Sequence, residues 1–167
     1  HDAVAATCEA TGTEEYWTCS KCGKIFSDAA GTTETTSDAL IIPALGHSWG
    51  EPAWTWTASG DSYTAYAVFT CANDSSHTET VTATVNSSTI TETDDAAAQT
   101  VYTATATFNS TTYTDKRITV PEAATGLTYT GSELTGVKAG TGYTISGNTA
   151  TNAGEYEAAL TLADGYT

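Results

Sequence analysis

Tyr102-Thr103-Ala104-Thr105-Ala106-Thr107-Phe108 repeats with a period of two, placing Tyr102, Ala104, Ala106 and Phe108 on one side and threonines on the other. Successive side chains of an extended strand point to opposite faces, so the pattern predicts a strand with one buried and one wet face. Asn109-Ser110 follows as a hairpin turn, and Tyr113 to Val120 is the returning strand. Upstream, the same kind of segment recurs in Ala53-Trp54-Thr55-Trp56-Thr57, in Tyr63 to Cys71 and in Thr78 to Val85. Ser59-Gly60-Asp61 and Asn73-Asp74-Ser75-Ser76 separate these segments with turn-forming residues. Residues 47–121 therefore read as a small β-sandwich.

The flanks differ in kind. Residues 1–46 hold three of the four cysteines and end in the apolar Ile41-Ile42, stopped by Pro43-Ala44-Leu45-Gly46. Residues 122–167 are broken by the glycine turns Thr130-Gly131-Ser132, Ala139-Gly140-Thr141-Gly142 and Asn152-Ala153-Gly154, and read as a third, truncated module. Thr is the commonest residue and Met is absent, a composition that favours strands over helices. Large aliphatic residues are too sparse for one large core. The expectation is an all-β, multi-modular chain of small units that need metals or neighbours for stability.

Twenty acidic against five basic side chains give a net charge of -15. Phosphate backbones and anionic lipid surfaces would repel such a chain, which argues against nucleic-acid and membrane partners. No apolar run is long enough for a transmembrane helix. The acids are scattered rather than set in a calcium-loop pattern, and are expected to form a solvated exterior.

Cys19-Ser20-Lys21-Cys22-Gly23-Lys24 is a metal knuckle: a tight turn aims two thiolates at one ion, and the glycine lets backbone N–H groups approach the sulfurs. Cys8 is the expected third ligand, and His1 or His47 the fourth, with His1 giving the more compact unit. A disulfide from Cys8 to Cys19 or Cys22 is the alternative outside the cell. A redox C-x-x-C would require a βαβ setting that the sequence lacks. Four protein ligands would close the shell, so zinc here is expected to be structural, and Cys22→Ser to unfold the first module. A second cluster combines Cys71 and His77, brought together by a turn, with His47 as third ligand and Asp94 or Asp95 as a substitute fourth.

The chain has no nucleophile elbow, phosphate loop or H-E-x-x-H motif, and Glu14-Glu15 and Asp94-Asp95 are adjacent pairs without the spacing of a glycosidase site. It is therefore not expected to be an enzyme. Trp54 and Trp56 share one strand face, near Tyr63 and Tyr66. Exposed, this row would stack on sugar rings; buried, it would be the core of a unit short of aliphatics.

Cys8 to Gly12, Glu15 to Lys24, Phe26-Ser27-Asp28 and Pro43-Ala44-Leu45-Gly46-His47-Ser48-Trp49-Gly50 together resemble zinc-ribbon-like repeats of secreted surface proteins from gut Firmicutes and Actinobacteria. Phe69 to His77 and Tyr113-Thr114-Asp115 are similar to the neighbouring module of such proteins, in which a cysteine would stand near Asp94 to Ala98; this chain has none there. Leu127 to Gly131, Gly147 to Gly154 and Tyr156 resemble bacterial Ig-like stalk repeats. The resemblance implies a piece of a larger extracellular, cell-surface protein that serves as a non-catalytic spacer or adhesion support. The alternative it implies is a carbohydrate-binding module recognising host or dietary glycans through the tryptophan face.

Overall fold

The computed structural model describes residues 1–167. Its strands are β1 (Gly12–Thr13), β2 (Trp17–Thr18), β3 (Ile25–Phe26), β4 (Glu34–Thr35), β5 (Ile41–Ile42), β6 (Ala53–Ser59), β7 (Ser62–Thr70) and β8 (Thr78–Thr82). They continue with β9 (Thr84–Ile90), β10 (Gln99–Phe108), β11 (Thr111–Ile118), β12 (Leu134–Thr135), β13 (Tyr143–Ser146), β14 (Thr149–Ala150) and β15 (Ala159–Leu162). The helical content is a single 3₁₀ turn, Asp38–Leu40, so the protein is all-β.

Two compact units form, one from residues 1–52 and 68–79, the other from residues 53–67 and 80–167. This layout departs from divisions at 46/47 and 121/122. Residues 47–52 and 68–79 belong with the N-terminal stretch because their backbone and their cysteine and histidine fold onto it, as described below. Residues 122–167 belong with the sandwich. There the side chain of Gln99, buried, donates through Nε2 to the carbonyls of Thr119 and Thr141, at 3.3 Å each, and accepts from the Thr141 N–H at 2.7 Å.

The first unit is made of very short pairings. β1 pairs antiparallel with β5, and β2, β3 and β4 form a meander. Val4 exchanges two 2.8 Å backbone hydrogen bonds with Thr13. That approach requires Gly12, because a Cβ there would overlap the Val4 carbonyl and the Ala6 nitrogen. Such two-residue strands present little apolar area, and the buried apolar side chains of the unit are Cys8, Leu40, Phe69 and Cys71.

The second unit carries most of the long strands, while the ends of β7 and β8, residues 68–70 and 78–79, lie in the first. One sheet has the order β6-β7-β8 and the other β11-β10-β9. The alternation anticipated for β10 is present: Tyr102, Ala104 and Ala106 are buried, with threonines between them. Asn109 and Ser110 turn the hairpin with φ of 46° and 65°, the left-handed geometry that matches strand twist. Thr78 to Val85 reads in sequence as one strand, but the chain passes at Ala83 from β8 in one sheet to β9 in the other. Strands that switch sheets in this way make the corners of a sandwich. Between the sheets, Trp56 Nε1–H donates to the Asp115 carboxylate at 2.8 Å, and the Tyr63 and Tyr102 rings meet edge-on at 4.8 Å.

Candidate metal centre

Three segments of the first unit are stitched together by their backbones. The Thr7 and Cys8 carbonyls accept the Leu45 and Gly46 N–H groups at 2.8 and 3.0 Å, laying the residues before His47 alongside Cys8. The Asn73 side-chain amide donates to the Gly46 carbonyl at 3.0 Å, and the Ala72 N–H to the Ser48 carbonyl at 2.7 Å. Trp49 and Cys71 form an antiparallel bridge. The turn from Cys71 to His77 is closed by the Cys71 N–H donating to the His77 carbonyl at 3.0 Å. Inside it, the Asp74 carboxylate accepts the Ser76 N–H at 2.9 Å and the Ser76 hydroxyl at 2.7 Å.

This backbone frame gathers Cys8, His47 and Cys71, whose ligand atoms all lie within 4.8 Å of one another. The Cys8 and Cys71 sulfurs, from residues 63 apart in sequence, are 3.8 Å apart. Two thiolates held about 2.3 Å from a tetrahedral ion stand about 3.8 Å from each other, so the spacing already suits a bound metal. Both cysteines are buried and neither is in a disulfide. A cluster of two sulfurs and one imidazole can bind a metal ion, and its softness disfavours magnesium and calcium.

The electrostatics make one of the two thiols a ready ligand. Burial opposes ionisation of Cys71, but hydrogen bonds to its sulfur outweigh that cost and bring its pKa down to about 6. The donors are the Ser48 N–H, the His47 ring and the Asp74 and Asn73 N–H groups, the Ser48 contact measuring 3.4 Å. Cys8 moves the other way: burial, its hydrogen bond to Cys71 and the Cys71 charge all raise its pKa. The two shifts run in opposite directions, so Cys71 is the more readily ionised of two thiols that share one hydrogen bond. A cation would displace the Cys8 proton, and metal uptake is coupled to proton release.

His77 lies against His47, the rings 5.0 Å apart and edge-on. Each imidazole has a carboxylate near Nε2: Glu9 is 3.8 Å from that of His47 and Asp74 is 3.9 Å from that of His77. Both separations exceed hydrogen-bond distance, so these are charge neighbours of the imidazoles.

The grouping differs from the sequence expectation in the places of Cys8, of His1 and of Asp94 and Asp95. Cys8 joins the second cluster, with Cys71 and His47, instead of completing the knuckle. Its backbone is the reason, since Thr7 and Cys8 are bound to Leu45 and Gly46. The second cysteine beside Cys71 thus comes from upstream and not from the stretch Asp94 to Ala98, and Asp94 and Asp95 are exposed. Cys19 and Cys22 stay together on the β2–β3 hairpin, whose turn is closed by the Gly23 N–H donating to the Cys19 carbonyl at 2.8 Å. A hydrogen bond with Cys22 and the Cys22 and Lys21 N–H groups lower the Cys19 pKa, as a knuckle geometry should. His1 stacks flat on Tyr16 at 4.2 Å, and its ammonium donates to the Tyr16 carbonyl at 2.8 Å. The sequence held a partial signal for this grouping: Cys71, His47 and His77 read as one cluster lacking a sulfur, and Cys8 stood upstream.

The four aromatic candidates do not form one exposed row. Trp54 and Trp56 are half-buried on one face of β6, and Tyr66 is exposed. Tyr63 is enclosed by the Trp56 ring at 6.1 Å, the Tyr102 ring and the Arg117 guanidinium at 4.8 Å. Comparison with known protein families, characterised proteins and solved structures finds no match to this chain.

Proposed function

We propose that this chain is a non-catalytic spacer within a larger cell-surface protein, and that a structural zinc ion held by Cys8, His47 and Cys71 stabilises its first unit. The 3.8 Å separation of the two buried sulfurs is the observation that carries this reading. It is supported by need: strands of two residues and a four-residue apolar core leave the first unit short of the burial that small folds require. Zinc would supply a cross-link joining the segments around residues 8, 47 and 71. The chain's own contribution is to pre-form the donor set by backbone pairing and to ease ionisation of Cys71. The acidic, threonine-rich composition suits an extracellular support.

Mass spectrometry of protein purified without added metal, followed by thermal unfolding with and without a chelator, tests this. The expected result is about one zinc per chain and a lowered melting transition for the first unit on chelation. Metal-free protein whose melting ignores both zinc and chelator would overturn the reading.

A further inference from the structure

Cys8, His47 and Cys71 alone would leave one tetrahedral position open, which is the arrangement of a catalytic zinc with a bound water. Whether that position is filled decides between a reactive and an inert centre, and the turn from Cys71 to His77 bears directly on it. His77 Nδ1 is completely buried and meets no hydrogen-bond partner. Buried polar atoms are almost always satisfied, because leaving one bare forfeits its hydration without return. This nitrogen belongs to a ring 5.0 Å from the His47 ring, on a turn whose other end is Cys71. Its opposite nitrogen has the Asp74 carboxylate as a neighbour at 3.9 Å, beyond hydrogen-bond distance.

We propose that His77 Nδ1 is the fourth ligand, completing a closed Cys8, His47, Cys71, His77 shell with no site for water or substrate. The inference rests on the metal-binding reading above and deepens it, since a Cys₂His₂ shell is structural by composition. It also gives the Cys71 to His77 turn its purpose. Asp74 bonds within the turn to Ser76, which fixes the loop that carries His77.

The test uses Co²⁺ and Zn²⁺ on the full chain. Co²⁺-loaded wild-type protein is expected to show tetrahedral visible bands that added azide does not alter. His77→Ala should lower Zn²⁺ affinity at least about a hundredfold, beyond what loss of an outer-sphere partner usually costs, and make the cobalt bands azide-sensitive. His77→Cys keeps the position ligated and should intensify the sulfur-to-cobalt charge-transfer band, a response that mere packing by His77 would not give. Azide-sensitive bands in the wild type, or unchanged affinity in His77→Ala with no added charge transfer in His77→Cys, would overturn the fourth-ligand assignment while leaving a three-ligand metal site standing. Failure of the wild type to bind either ion would instead remove the metal-binding reading itself, and this inference with it.

Discussion

The two units of this chain solve the same problem, a shortage of large aliphatic side chains, by opposite means. In the second unit, strands as long as the ten residues of β10 alternate small buried residues with threonines, and Trp56, Tyr63 and Tyr102 fill the space between two sheets. In the first, strands of two residues cannot bury enough surface, and a cluster of two buried thiols with two histidines beside them occupies the place of a core. Burial accumulates with strand length and coordination does not. The stability of one unit should therefore depend on metal and that of the other on packing.

The sharpest way to break this contrast is Cys71→Ser. It removes the more readily ionised sulfur and should abolish metal binding and unfold the first unit, leaving amide protection in β10 and β11 intact; hydrogen exchange read by mass spectrometry separates the two. Loss of protection in both units would mean that the second also depends on the metal. Ala104→Leu probes the other side. Ala104 is completely buried on the inner face of β10, and overpacking there should cost about 1–3 kcal/mol in urea unfolding of the second unit without changing zinc affinity.

Smaller effects sharpen the comparison. With Cys8 engaged elsewhere and Cys22 exposed, Cys22→Ser is expected to leave zinc stoichiometry and the melting of the first unit unchanged. This reverses the expectation from sequence, and unfolding by that variant would restore the knuckle as a structural site. The smallest effect belongs to Glu92, whose carboxyl is held below its ordinary pKa by the Lys138 ammonium 2.7 Å away. Because the folded value is the lower one, this pair contributes fully above the ordinary carboxylate range and the contribution is lost as pH falls through the folded value. Glu92→Gln should therefore weaken the second unit slightly at pH 7 and not at all near pH 2. The pair is exposed, so the loss should be near the detection limit of urea titrations.

Much of the fold was legible in advance because it rests on local rules. The period of two in Tyr102 to Phe108 is a property of the chain, and so is the Asn109-Ser110 turn; both emerge in place. Thr78 to Val85 was less legible, since the switch between sheets at Ala83 depends on which strands lie beside it, and local propensity is the same on either side. Residues 122–167 were assigned to a separate module by their glycines, yet the Gln99 side chain ties Thr141 to the preceding strands.

The candidate metal centre shows the same division. Residue type alone determined that His1, Cys8, Cys19, Cys22, His47, Cys71 and His77 were the candidates, because only thiols and imidazoles offer soft donors, and the turn-forming run after Cys71 brought it close to His77. Tertiary structure decided which sulfurs share a site. Cys8 is nearer in sequence to the knuckle, but the Leu45 and Gly46 amides bind its backbone and present its side chain to Cys71. Ligand grouping is set by distances in space, and between residues 8 and 71 those distances are fixed by hydrogen bonds among segments that no local pattern connects.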